Sequence, residues 1–280
     1  MTSRDLAGGG LLTWRVTLSY DGTEYCGWQV QPGQKTIQGE LQEAIGRITG
    51  ETPLPQGSGR TDAGVHALGQ VASFLLRAPI PEENFQRALN RTLPASIRIL
   101  EAKIMPDGFH ARHAAIRKIY EYRVWCERRE CSDICPPFLA RYVYACPWYL
   151  DRSKLNTAAA AFLGEHDFAS FAANDPDRTT RQEGDSEDSG EERNLSTVRT
   201  VFASEWHEET SDYGPILIYR IQGNGFLHHM VRNLVGTMIE AGRGTLKASD
   251  LAVILDAKSR SAAGPTAQAR GLFLHSVQYE

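Results

Sequence analysis

The stretch Gly57-Ser58-Gly59-Arg60-Thr61-Asp62-Ala63-Gly64-Val65-His66-Ala67 sets three glycines around an arginine and an aspartate, just ahead of an apolar segment that reads as a strand. Glycine permits tight turns and close approach of a ligand to the backbone. The stretch is therefore a short loop that presents charged side chains at the end of a strand. A phosphate-cradling loop of the form G-x-x-x-x-G-K-[ST] is the obvious rival. That spacing needs a glycine at position 54, where Leu54 stands, and a lysine where Arg60 stands, so it is rejected. On its own, an aspartate in a glycine-rich loop is more often a turn-former than a catalyst.

Upstream, Trp14 to Tyr20 is apolar and β-branched and ends at Asp21-Gly22, a strand closed by a turn. Thr36 is of N-cap type, with Glu40 near the first turn. Ile37, Leu41, Ala44, Ile45 and Ile48 then recur at helical spacing until Gly50. Downstream, Gln70 to Leu76 reads as a strand, Pro81 to Arg91 as a helix and Ser96 to Ile104 as a strand, before Pro106-Asp107-Gly108. The pattern then resumes: a strand over Ile119 to Cys126, an alanine-rich helix over Ser153 to Leu163, strands over Thr197 to Trp206 and Ile216 to Gln222, and a helix over His228 to Ala241. In that last helix Met230, Leu234, Val235, Met238 and Ile239 face a core. Two successive segments that mix helices and strands predict an α+β protein of two related halves. These are residues 13–106, carrying the Asp62 loop, and 107–280, after a flexible N-terminus of residues 1–12.

The chain has 280 residues, 41% of them hydrophobic and 23% charged, enough to bury a sizeable core without disulfides or metals. No stretch approaches the roughly 20 uninterrupted apolar residues of a membrane span, and the start lacks the apolar core of a secretory signal. A cytoplasmic enzyme is the expectation. The five cysteines are irregularly spaced and read as reduced thiols. Cys131 and Cys135 have the spacing of half a zinc site, but no second closely spaced Cys/His pair stands nearby, so no metal is expected. The net charge of −4 is uneven: between Asn174 and Asn194 eight acids face three arginines, a local −5 that leaves +1 for the rest. That stretch has almost no apolar residue and is expected to be a disordered acidic insertion. Eleven basic residues between Arg77 and Arg129, Arg112 and Lys118 among them, are candidates for a phosphate-binding groove.

The string GRTDAGVHA resembles the signature of the TruA-type tRNA pseudouridine synthases. Further segments agree in order and spacing: Tyr20-Asp21-Gly22-Thr23, Gly27-Trp28-Gln29, Thr36-Ile37-Gln38-Gly39, Gly69-Gln70-Val71, Phe109-His110-Ala111-Arg112, Lys118-Ile119-Tyr120-Glu121-Tyr122, the run from Gly225 to Gly236, Gly264-Pro265-Thr266-Ala267 and Gly271-Leu272. The acidic insertion departs from the family, where a short connection stands. By that resemblance the fold is α+β: two halves related to the ferredoxin-like arrangement, their mainly antiparallel sheets joined into one, helices on one side and an active-site cleft between the halves. The implied reaction isomerises uridine to pseudouridine in tRNA, at positions 38 to 40 of the anticodon stem-loop, by a homodimer that needs no metal, cofactor or nucleotide.

The resemblance places the catalytic carboxylate on Asp62, the active-site tyrosine on Tyr120 and the active-site arginine on Arg232. The chemistry suits these types. A carboxylate can trap or stabilise the cationic sugar centre left when the base departs. A guanidinium can pair with it and orient it, and a tyrosine ring can stack on a flipped-out uracil. Arg60 is a further substrate-binding candidate, taking the space of the flipped base or holding a flanking phosphate. His229 and Phe226 complete the candidates for substrate contact, together with His66, which is read first as a loop-ordering residue with substrate contact as its alternative. His228 and His229 are not expected to share a metal, because helical neighbours point about 100° apart. Two other classes stand beside this reading. A non-catalytic RNA-binding or chaperone protein of the same fold does not account for Asp62, Tyr120 and Arg232 all being present. An aspartate-nucleophile glycosidase needs a second, paired carboxylate that no comparable motif supplies.

Overall fold

The computed structural model of the chain describes residues 10–126, 134–173 and 196–280, so the acidic stretch 174–194, Cys131 and the first nine residues lie outside the described residues. In chain order the elements are β1 (Leu12–Tyr20), α1 (Ile37–Thr49), β2 (Gln56–Gly57), β3 (His66–Leu76), α2 (Glu82–Thr92), β4 (Ile97–Met105), β5 (Arg117–Cys126), β6 (Tyr144–Cys146), α3 (Arg152–Ala160), β7 (Gly164–Asp167), β8 (Val198–Ser211), β9 (Gly214–Gly223), α4 (Met230–Arg243), α5 (Asp250–Asp256) and β10 (Leu272–Gln278). The local signals act as read. The Thr36 hydroxyl accepts from the Gly39 N–H at the start of α1, and Gly50 closes it in the left-handed region at φ 75°.

One mixed sheet of ten strands runs in the order β4-β1-β3-β10-β5-β9-β8-β7, with β2 on β3 and β6 on β5. The order contains the same unit twice. β4-β1-β3-β2, with α1 and α2 as crossovers, is one antiparallel βαββαβ sheet; β10-β5-β9-β8, with α3 and α4, is the other. They fuse because β2 is only two residues long. It pairs Gln56 and Gly57 with Ser73 and Ala72 and leaves the other end of β3 open. β10 takes that open edge in parallel, Phe273 beside His66 and Leu274 beside Ala67.

A single register row crosses both units: Ile97, Tyr20, Ala67, Leu274, Tyr120, Ile221 and Ser204, from β4 to β8. All of these are buried on the face that the helices cover. In the first half Trp14, Val16 and Leu18 meet Ile37, Leu41 and Ile45 of α1 and Phe85 and Leu89 of α2 in one core. In the second, Tyr219 and Ile221 meet Leu155 of α3 and Met230, Leu234 and Met238 of α4. Each fully buried Leu, Ile or Phe contributes about 1.5–3 kcal/mol relative to exposure. The helices thus lie on one side of a joined α+β sheet, as expected.

Three differences from the sequence reading matter. β10, the strand that joins the halves, has no counterpart in it, nor do the short β6, β7 and α5. β1 starts at Leu12, inside the segment expected to be a flexible terminus. The last long helix begins at Met230, with His229 ahead of it at φ 59°.

Candidate active site

Asp62 sits on the connection between β2 and β3, held by the scattered motifs around it. The Trp28 N–H donates to Thr61 O at 3.0 Å, and the hydroxyls of Tyr20 and Thr61 are 2.8 Å apart. Gln70 on β3 accepts from the Ser58 hydroxyl at 2.7 Å and donates to Gly59 O at 2.9 Å. Gly27, at φ 93°, lies so close that a Cβ there would be 2.6 Å from Thr61 O. The loop then turns back through a hydrogen bond from Val65 N to Asp62 O at 3.1 Å. These contacts fix the backbone of 58–65 and leave the Asp62 carboxylate facing the second half.

Arg232, in the first turn of α4, meets it there. Its NH1 donates to Asp62 Oδ2 at 2.8 Å while its Nε donates to Ala267 O at 2.8 Å. Both side chains are largely shielded, at 19% and 15% exposure for Asp62 and Arg232. The strap Gly264-Pro265-Thr266-Ala267 that positions this guanidinium lies along α4. Ala267 N donates to Arg232 O at 3.1 Å, Gly264 N to the Thr237 hydroxyl at 2.9 Å, and the Thr266 hydroxyl to Asn233 Oδ1 at 2.7 Å. A Cβ on Gly236 would lie 1.7 Å from Pro265 O, a backbone clash that no rotamer relieves. Gly236→Ala is therefore expected to destabilise the fold by about 3 kcal/mol and to displace Arg232. A thermal melt beside an activity assay checks this; an unchanged melting temperature would mean that the strap adapts.

Tyr120 on β5 is 7% exposed, in edge contact with the Phe226 ring at 5.1 Å. Burial, and then the neighbouring Tyr20 phenol and Asp62 carboxylate, push its phenol well above the ordinary range. Burial likewise raises Tyr20, to about 12. Both phenols are neutral at physiological pH, donors rather than bases.

His229 Nε2 lies 3.2 Å from Asp62 Oδ2 and His228 Nε2 3.5 Å from Asp62 Oδ1, the two rings 4.0 Å apart. The sequence argument that these imidazoles diverge fails because neither residue is inside the helix; the left-handed backbone at His229 swings both rings to one side. With Asp62 they bring donor atoms within 4.8 Å of one another, a spacing that could accommodate a metal. Arg232 already balances the carboxylate, and a cation there would have to compete with it. Burial lowers the pKa of His229, and its neutral ring can still donate an N–H to Asp62.

The remaining candidates separate clearly. Arg60 is exposed on the loop two residues before Asp62. His66 is 1% exposed, stacked on Phe273, with Nδ1 accepting from Gly22 N at 3.1 Å and Nε2 3.0 Å from Arg141 O. It has no surface to offer RNA, and burial holds its pKa down. Its burial favours the loop-ordering reading over substrate contact, because it pins the Asp21-Gly22 turn to β3. His228 is not among the sequence candidates for substrate contact; its signal is adjacency to His229, three positions before Arg232.

The tRNA pseudouridine synthase family model matches residues 17–113 and 158–280 of the chain. The chain is 48% identical over 266 residues to the tRNA pseudouridine synthase A of Solibacter usitatus, covering 95% of this chain and 98% of that protein. It is 43% identical to the protein of the same name from Moorella thermoacetica, with 95% and 98% covered, and 41% identical to that of Maridesulfovibrio salexigens, with 95% and 89% covered. The matched family model spans both halves of the sheet and takes in Asp62 and Arg232, and the chain belongs to the tRNA pseudouridine synthase family.

Proposed function

We propose that the chain converts uridine to pseudouridine at positions 38 to 40 of the tRNA anticodon stem-loop, working in the cytoplasm as a homodimer. The observation that carries the chemistry is the Arg232 guanidinium 2.8 Å from Asp62 across the two halves, with Tyr120 beside them. The reaction breaks the bond from N1 of uracil to C1′ of the ribose, turns the base and joins C5 to C1′; C5 loses a proton and N1 gains one, with no redox change. Asp62 meets the cationic sugar centre, as nucleophile or as the base for a glycal route. Arg232 holds the carboxylate in position. Tyr120 and Phe226 supply the aromatic wall against which the flipped base turns, and the neutral Tyr120 hydroxyl is a proton donor near it. The relatives' names support tRNA as the substrate, and the Asp62-Ala63-Gly64-Val65-His66 form supports the anticodon target.

The test is to incubate the purified protein with unmodified tRNA transcripts in chelator, without nucleotide, and to map pseudouridine at single-nucleotide resolution. Conversion at 38 to 40 is expected. Conversion confined to other positions sinks the target assignment, and binding without any conversion favours the non-catalytic RNA-binding reading.

A further inference from the structure

We infer that Lys118 and Arg199, with Arg112 beside them, form a seat for one backbone phosphate next to the uridine that is rearranged, an inference that rests on the tRNA-modifying reading above. The sequence offered many basic residues and no way to sort them; the structure sorts them by what they already touch. Arg98 donates to Pro94 O and Ile97 O of its own turn, Lys103 pairs with Glu101, and Arg123 pairs with Glu121 and covers the Phe273 ring. Arg87 is engaged with Glu83 and Asn84 on its helix. These charges are spent within the protein.

Lys118 is different. It lies on β5 two residues before Tyr120, so both side chains point to the same face of the strand. Its Nζ donates to Ser58 O at 2.5 Å, at the root of the Asp62 loop. An ammonium has three donors, and this bond uses one. In register, Lys118 faces Gly223 of β9, which faces Val201 of β8, and Arg199 is two residues along β8 on that same face. The gap at Gly223 is filled by the Phe226 ring, the partner of Tyr120, and a Cβ on the following Gly225 would lie 3.5 Å from Arg199 Nε. Lys118 and Arg199 thus flank the aromatic wall.

No carboxylate among the described residues lies within ion-pair distance of Lys118 or Arg199; the NH1 of Arg199 donates to Val198 O of its own strand and to Ser196 O just ahead of it. Burial, then the charges of Arg112 and Arg199, bring the Lys118 ammonium down to about 8, and burial lowers Arg199 as well. Lys118 and Arg199, crowded and dehydrated with no carboxylate beside either among the described residues, are complemented by an anion from outside. In folded RNA the anion within reach of a flipped nucleotide is its own or its neighbour's phosphate.

The test measures binding of full-length protein to an unmodified tRNA transcript over a series of salt concentrations, for wild type, Lys118→Met, Arg199→Met and Lys118→Arg. Each methionine variant is expected to weaken binding about tenfold and to lower the slope of log affinity against log salt by about 1, while Lys118→Arg keeps the wild-type slope. KM should rise with kcat at saturation little changed. A methylphosphonate at a single position beside the mapped pseudouridine should weaken wild type and have no further effect on Lys118→Met. A Lys118→Met protein with wild-type salt slope and reduced kcat would show that the lysine only tethers the loop, and it overturns the proposal while the tRNA reading stands. Wild type that neither binds nor modifies tRNA removes both.

Discussion

Replacing Asp62 with asparagine is expected to stop pseudouridine formation, lowering single-turnover rates by at least about 10⁴-fold, the scale on which loss of a reacting group acts. The substitution keeps the shape of the side chain and its place on a loop tied down by Trp28, Tyr20 and Gln70. It removes only the negative charge that must meet the sugar centre, and an amide neither attacks C1′ nor takes the proton from C2′. Affinity for tRNA should stay within about threefold, because Asp62 is an anion in a cleft that receives phosphate and its loss does not weaken electrostatic attraction. The check is a single-turnover assay beside a binding titration. Turnover within tenfold of wild type would remove Asp62 from the chemistry; joint loss of turnover and binding would point to a collapsed loop, which a thermal melt identifies.

Arg232→Lys is the second large effect, although the charge is conserved. The guanidinium works in two directions at once, its Nε to Ala267 O and its NH1 to Asp62 Oδ2, both at 2.8 Å. A planar fork spans those acceptors; a single ammonium on a flexible stem cannot hold both with the same geometry. We expect kcat to fall about 10²-fold with KM nearly unchanged, and Arg232→Met to fall about tenfold further, since it also leaves Asp62 with only the imidazoles of His228 and His229. Lysine restoring more than a third of the wild-type rate would mean that charge alone suffices and that the tie to Ala267 is incidental.

Most of the architecture follows from local signals that act independently of the rest of the chain. Thr36 and Gly50 bound α1 by their own side-chain and backbone properties, and alternation along Trp14 to Tyr20 reports a strand with one covered face. β10 carries no such signal. Leu272 and Leu274 enter the helix-side core while Phe273 is buried on the other face between His66 and Arg123, so both faces are apolar and the alternation disappears. His66 illustrates the same limit in the site. Within GRTDAGVHA it reads as loop-ordering or substrate-contacting, and only the packing of Phe273 and the 141 carbonyl shows that its ring is enclosed. The approach of His228 and His229 to Asp62 depends on one left-handed residue ahead of α4, a backbone choice that helical periodicity does not report. Asp62 and Arg232, by contrast, were named from motifs 170 positions apart, and the distance between them is what the fold adds.

The seam at β10 also orders events in time. It pairs Phe273 with His66, partners 207 positions apart, and on a ribosome it emerges after every other described element. The first half can complete β4-β1-β3 early, whereas the second half lacks one edge of its own sheet until residues 272–278 arrive. Closure of so long a loop is among the slowest kinds of step in folding. The strap that seats Arg232 immediately precedes that strand. A nascent chain therefore carries its carboxylate loop and its aromatic wall before it carries a joined cleft, and the seam acts as the clasp that makes one catalyst of two neighbouring folds.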